Sequence, residues 1–169
     1  MPFYDFMKTT AICFLIIFSF PQINFTKTTG ESETKKIVDE KELYIPAKVS
    51  RVPENNDYRD SASDYSFKRM VQGDNIAIFW HKEFGQDPVS NPNEKKRFNP
   101  NEALKECERF YRFYVNELKL VQKGKSLTDK YKMILYVING EGQTAFGGGT
   151  ENKVGILWTP AARMNKAPY

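Results

Sequence analysis

The sequence predicts an α/β (α+β) fold, a small mixed sheet with one long amphipathic helix, and three observations lead there. Two runs, Asn75 to Lys82 and Met133 to Ile138, are short, apolar on consecutive positions and rich in β-branched or aromatic residues, as strands buried on both faces are. Between them apolar residues recur at spacings of three and four, the period of a helix with one buried face. A strand, a helix and a second doubly buried strand in that order form a parallel crossover, which is right-handed.

The chain begins differently. Residues 11–20 read Ala-Ile-Cys-Phe-Leu-Ile-Ile-Phe-Ser-Phe, an uninterrupted apolar run preceded by the single cation Lys8. A bilayer span needs about 20 such residues, so residues 1–24 are expected to be a secretory signal peptide. Their removal leaves about 145 residues, enough for one domain with its own core. Cys13 would leave with the leader, so the mature chain keeps only Cys107 and forms no internal disulfide. Cys13 is preceded by Ile12 rather than a small residue, which argues against a lipid anchor.

Aromatic residues at 14% are abundant and charged residues at 27% are ordinary, which excludes a disordered, collagen-like or disulfide-scaffold protein. A net charge of +4 is mild, and the only dense basic cluster, Lys95-Lys96-Arg97, stands beside Glu94. It reads as a solvated loop before a helix, and no nucleic-acid partner is expected. No membrane contact is expected after the leader is removed.

Residues 25–66 are rich in Thr, Ser, Lys, Glu, Asp and Asn, with apolar islands at Ile37-Val38 and Leu43-Tyr44-Ile45. Such a stretch is expected to be a flexible polar arm. Residues 67–169 then form the organised part. Gln86 to Phe98, with Pro88 and Pro92, is a loop, and Asn99-Pro100-Asn101-Glu102 starts the helix. Asn99 can accept from a free N–H, Pro100 lacks a donor where none is needed, and Glu102 can complete a capping box. Ala103, Leu104, Cys107, Phe110, Tyr111, Tyr114, Leu118 and Val121 form its apolar stripe, and the helix is expected to run to about Leu120. Gly124 and Ser126 precede the second strand. Asn139 to Thr150 is a glycine loop, and Val154 to Thr159 is a third strand. No second long helix appears to cover the other sheet face, so the chain is expected to be the front end of a longer protein and marginally stable alone.

Residues that carry chemistry are few. His81 is the only histidine, which excludes a His-Glu-x-x-His helix or a two-histidine relay within these 169 residues. On an aromatic strand it reads as a packed residue. Cys107, between Leu104 and Tyr111, reads as a buried structural thiol rather than a nucleophile served by His81. Gly140-Glu141-Gly142 and Gly147-Gly148-Gly149 lack the Gly-Lys-Ser/Thr ending of a phosphate loop and are followed by a strand rather than a helix. No carboxylate pair stands out for glycoside hydrolysis.

The run Ile76-Ala77-Ile78-Phe79-Trp80-His81-Lys82-Glu83-Phe84-Gly85, the capped aromatic helix, Lys132 to Asn139, Thr144 to Gly149 and Val154 to Trp158 together resemble an uncharacterised family of secreted bacterial proteins, common in Bacteroides-type gut organisms. The resemblance covers about Ser66 to Tyr169. In that family the next segment is similar to the His-Glu-x-x-His helix of zincin metallopeptidases. The resemblance therefore implies that this chain is the N-terminal subdomain of a zincin-like domain and stops before the zinc-binding helix. It implies zinc as cofactor of the longer protein, no cofactor, metal ligand or catalytic residue here, a peptide or glycoprotein substrate, and the missing C-terminal half as partner. It also implies an edge strand from Lys153 to Thr159, with Gly147, Gly148, Gly149, Gly155 and Trp158 at a substrate cleft. The same glycines serve equally well to turn the chain. The alternative is a non-enzymatic secreted or cell-surface module that binds glycan or protein.

Overall fold

The computed structural model describes residues 40–140 and 145–164, all within one compact unit. The expected signal peptide, Cys13, the arm before residue 40, Gly142 and Thr144 lie outside the described residues.

Five strands form one mixed sheet in the order β1-β2-β3-β5-β4. They are β1 Met70–Gln72, β2 Ile76–Trp80, β3 Met133–Ile138, β4 Phe146–Thr150 and β5 Val154–Pro160. β2, β3 and β5 are mutually parallel, and β1 and β4 close the two edges antiparallel. Every residue of β2 is buried, as its unbroken apolar run requires.

Helix α1, Pro100–Arg112, is the crossover between β2 and β3. Its start follows the sequence: the Asn99 side chain accepts from the N–H groups of Asn101 (3.0 Å) and Glu102 (3.2 Å), with Pro100 at the first position. Glu102 pairs with Lys105 at 3.8 Å. The last turn widens into a π-helical turn, Phe113–Glu117, closed by the Leu118 N–H to the Phe113 carbonyl (3.1 Å). Lys119, at φ 53°, breaks the helix five residues before Gly124.

The alternating side chains of the strands build two apolar layers. On one face Ile76, Ile78, Trp80, Leu135 and Val137 pack with Ala103 of α1, with Phe84 and Phe98, and with Ala161 of the short helix α2, Ala161–Met164. On the other face Ala77, Phe79, Ile134, Tyr136, Ile156 and Trp158 pack with Val49 and Tyr65. This second layer overturns the expectation of a flexible arm: residues 40–66 are the cover of that face. Leu43, Tyr44, Ile45, Val52 and Tyr58 also lie against it. Glu42 bridges to Tyr131 through Glu42 N–H to Lys130 O (2.9 Å) and Lys132 N–H to Glu42 O (3.0 Å). The Trp158 indole N–H donates to the Ser50 carbonyl at 2.9 Å, and the Tyr58 and Tyr136 hydroxyls meet at 2.8 Å. The segment is polar in composition, yet its larger apolar residues lie against this one face. The expected lack of cover on this face is likewise corrected, and the uncovered surface lies instead beside α1.

One buried charge joins the helix to the sheet. Glu108 Oε1 accepts from the N–H groups of Asn75 (2.7 Å) and Ile76 (3.0 Å), and Oε2 accepts from Asn75 Nδ2 (2.7 Å). These donors belong to the turn that enters β2, whose N–H groups have no strand partner there. A Cβ at Gly73 would stand 2.7 Å from Glu108 Oε1, so a larger residue there would displace the carboxylate. Glu108→Ala strands those buried N–H groups and is expected to cost about 3 kcal/mol. A urea midpoint unchanged from wild type would contradict the role given to this carboxylate.

Candidate functional site

β4 is the glycine segment. Residues 147–149 are therefore an edge strand rather than a loop, and β5, expected to be the edge, lies inside the sheet between β3 and β4. Glycines weaken the strand signature. The strand is held from outside by a tight hairpin, in which Lys153 N–H reaches Thr150 O (3.1 Å) while Glu151 (φ 52°) and Asn152 (φ 50°) both take left-handed backbone. Two positive φ values in a two-residue loop match the twist of antiparallel strands. The Glu151 carboxylate accepts from the Tyr44 hydroxyl (2.5 Å) and the Ala47 N–H (2.8 Å), and Thr150 Oγ1 donates to Lys48 O (3.1 Å). The Tyr44 hydroxyl, then the Ala47 N–H, hold the Glu151 carboxyl below its ordinary pKa. The segment at 44–48 thus clamps the hairpin.

Along β4 the registers are Phe146 with Trp158, Gly147 with Leu157, Gly148 with Ile156 and Gly149 with Gly155. All three glycines of β4 are exposed. Their outer backbone edge faces away from β5, so N–H and C=O groups are offered with no Cβ beside them. Gly155 belongs to the inner strand, half-buried, and a Cβ there would meet Met133 at 3.2 Å. Trp158 does not belong to the edge. Its ring is buried, stacked on Phe146 (centroids 5.1 Å apart, planes at 9°) and bonded to Ser50. The residues placed at the cleft thus separate into an exposed set, Gly147 to Gly149, and a supporting set, Gly155 and Trp158.

His81 and Cys107 occupy structural positions. His81 Nδ1 accepts from the Glu83 N–H (3.2 Å), capping a 3-10 turn at Lys82–Phe84, and Nε2 lies 3.4 Å from Asp64 Oδ2. Both ring nitrogens are thereby taken, and neither is left to activate a thiol. Burial, only partly opposed by Asp64, lowers the His81 pKa. The Cys107 thiol is pushed up to about 11 by burial and by the charges of Glu108 and Glu106, the reverse of what a nucleophile needs. In the basic cluster, Lys96 pairs with Glu83 (3.2 Å) and Arg97 bonds the carbonyls of Asn91 (2.5 Å) and Pro92 (3.2 Å).

Among the described residues no three His, Cys, Asp or Glu side chains converge as a metal site requires. These residues do not fit a zinc ion. No helix among them is long and apolar enough to cross a membrane.

The chain matches a family of unknown function, DUF6055, over residues 35–168, and belongs to that family. No curated protein matches it, and no solved structure does. The matched span opens within the arm, in keeping with a segment that is part of the packed unit.

A folded-state pKa below the unfolded value makes His81 a source of stability present above about pH 6.5 and lost as pH falls through its depressed pKa. Asp64, lowered chiefly by its bond to Lys82, adds a loss at more acidic pH. His81→Asn keeps a side-chain acceptor at the cap. It is expected to remove the loss of thermal stability that begins as pH falls below about 6.5 while sparing the more acidic limb; an unchanged profile would show that another group titrates there.

Proposed function

We propose that the chain forms the front part of a secreted zinc-metallopeptidase-like domain, in which β4 presents its free edge to an extended peptide or glycoprotein segment. The observation that carries this reading is the run of three exposed glycines on an antiparallel edge strand. Strand addition draws its affinity from main-chain hydrogen bonds, and an edge without side chains lets a second backbone approach closely. The strand, crossover helix and strand follow the order that the zincin resemblance implies, while the edge it implies at Lys153 to Thr159 is taken here by β4. Secretion rests on the apolar run at residues 11–20.

In this reading the residues described here bind and orient the substrate and supply neither zinc ligands nor the general base. β4 aligns the substrate, β5 holds β4 in register, and the clamp from Tyr44 to Lys48 fixes the hairpin. A non-enzymatic binding module would use the same edge without any zinc, and the metal content of the longer protein separates the two readings.

Gly148→Val is the direct test. A Cβ at this position meets only the Trp158 ring at 3.7 Å, an ordinary contact that the fold accepts. In the protein extended past Tyr169 along its natural reading frame, the substitution is expected to lower peptide turnover at least about tenfold, about 1.4 kcal/mol, with zinc content and melting temperature kept. Unchanged turnover in an active protein would remove β4 from the site.

A further inference from the structure

Of the eight large apolar side chains exposed among the described residues, five fall within one short stretch after α1: Phe113, Tyr114, Leu118, Leu120 and Leu127, each between 46% and 67% exposed. Single exposed residues of this kind need no explanation, whereas a contiguous group marks a contact surface. Tyr114 and Leu120 line, with Val121 and Leu157, a cavity of about 420 Å³ between the end of α1 and the sheet, and its wall among the described residues holds no charged side chain. Backbone bonds keep the stretch in place. The Leu118 N–H reaches Phe113 O (3.1 Å) and the Leu120 N–H reaches Tyr114 O (3.0 Å). Further along, the Asp129 carboxylate accepts from the N–H groups of Gly124 (2.7 Å) and Ser126 (3.2 Å), and the Tyr111 hydroxyl donates to Thr128 O (3.4 Å). The leucines are thus presented by a bonded loop rather than by a fraying helix end.

Charge in the same stretch is one-sided. On α1 every cation has a carboxylate one turn away, in the pairs Lys105–Glu102, Arg109–Glu106 and Arg112–Glu108. After the helix, Lys119, Lys123 and Lys125 are exposed and form no ion pair among the described residues. Asp129 does not offset them, because its carboxylate is engaged by the loop backbone. Unpaired cations therefore stand beside exposed leucines in Leu118-Lys119-Leu120-Val121-Gln122-Lys123-Gly124-Lys125. These two properties together select the partner. An apolar surface alone would suit a second copy of this chain, but a two-fold contact sets the same patch against itself and would oppose the three unpaired lysines of each copy. A bilayer with anionic headgroups accepts both properties: apolar side chains enter the boundary between headgroups and acyl chains, and the ammonium groups remain beside the phosphates. We propose that the loop from Leu118 to Leu127, with Phe113 and Tyr114, seats the protein on an anionic lipid surface. A net charge of +4 argues for no membrane contact, but it averages over a surface on which these cations are gathered. Neither β4 nor zinc takes part in such a contact.

Cosedimentation with lipid vesicles tests this, using the chain from Phe25 onward so that the apolar run at residues 11–20 does not itself insert; the compact unit begins at Val38 and is kept whole. Vesicles of equal parts phosphatidylcholine and phosphatidylglycerol are expected to bind it, and vesicles of phosphatidylcholine alone at least about tenfold more weakly. The triple variant Lys119→Gln, Lys123→Gln, Lys125→Gln is expected to lose about a hundredfold in affinity for the anionic vesicles, and Leu120→Glu about tenfold. Both should keep the melting temperature, since the replaced side chains are exposed. A second triple variant, Lys48→Gln, Lys68→Gln, Lys95→Gln, changes net charge equally at exposed positions elsewhere and is expected to bind within about threefold of the parent. Absence of binding to the anionic vesicles overturns the proposal. Equal losses in the two triple variants also overturn it, because net charge rather than this loop would then carry the binding. Unchanged affinity of Leu120→Glu does so as well, by leaving the apolar residues out of the contact. A dimer in sedimentation that Leu120→Glu dissociates would contradict it too, and assign the patch to a second copy.

Discussion

Three adjacent parallel strands, β2, β3 and β5, impose the constraint on which the rest of the molecule depends: their apolar residues alternate to both faces, and both faces need cover. The two covers are unlike in origin. One is the crossover helix α1, which the parallel connection itself requires. The other is the irregular segment of residues 40–66, which lays a few aromatic and aliphatic residues on the opposite face and satisfies its own backbone with turns. Glu108 on the helix side and the Trp158–Ser50 bond on the arm side fasten each cover to the sheet.

This arrangement explains where the candidate site can lie. β1 closes one edge of the sheet as a short antiparallel strand, and β4 closes the other with three glycines. The hairpin at Glu151-Asn152 is pinned by Tyr44 and Ala47, so the arm that covers the sheet also holds the edge strand in place. Cover and site are thus mechanically joined: Trp158 is bonded to the arm, and its stacked partner Phe146 opens β4.

Much of the fold was legible in the sequence because strong local signals agreed with the tertiary structure. β2, β3 and β5 are dense apolar runs, and the start of α1 has an acceptor, a proline and a period that all point the same way. The arm was not legible, since its low apolar content resembles a linker and only the placement of Val49, Tyr58 and Tyr65 on one side reveals a packed layer. β4 escaped for a related reason. Glycines carry no strand preference, and the pairing that makes them a strand is supplied by β5 and by a Glu-Asn turn without the glycine that usually marks such hairpins. At the site, the sheet edge is β4, one strand over from residues 153–159, and Trp158 is a core residue rather than a surface one.

Amide hydrogen exchange on the full chain measures the arm's role most directly. If residues 40–66 are a structural layer, the N–H groups of Glu42, Phe67 and Arg69, bonded to Lys130, Tyr58 and Ser66, exchange at rates close to those of β1 and β3 and open with the sheet. Exchange of these three at the rate of an unstructured peptide, while β2 and β3 stay protected, would show that the sheet stands without the arm and would contradict the account of a core closed by it.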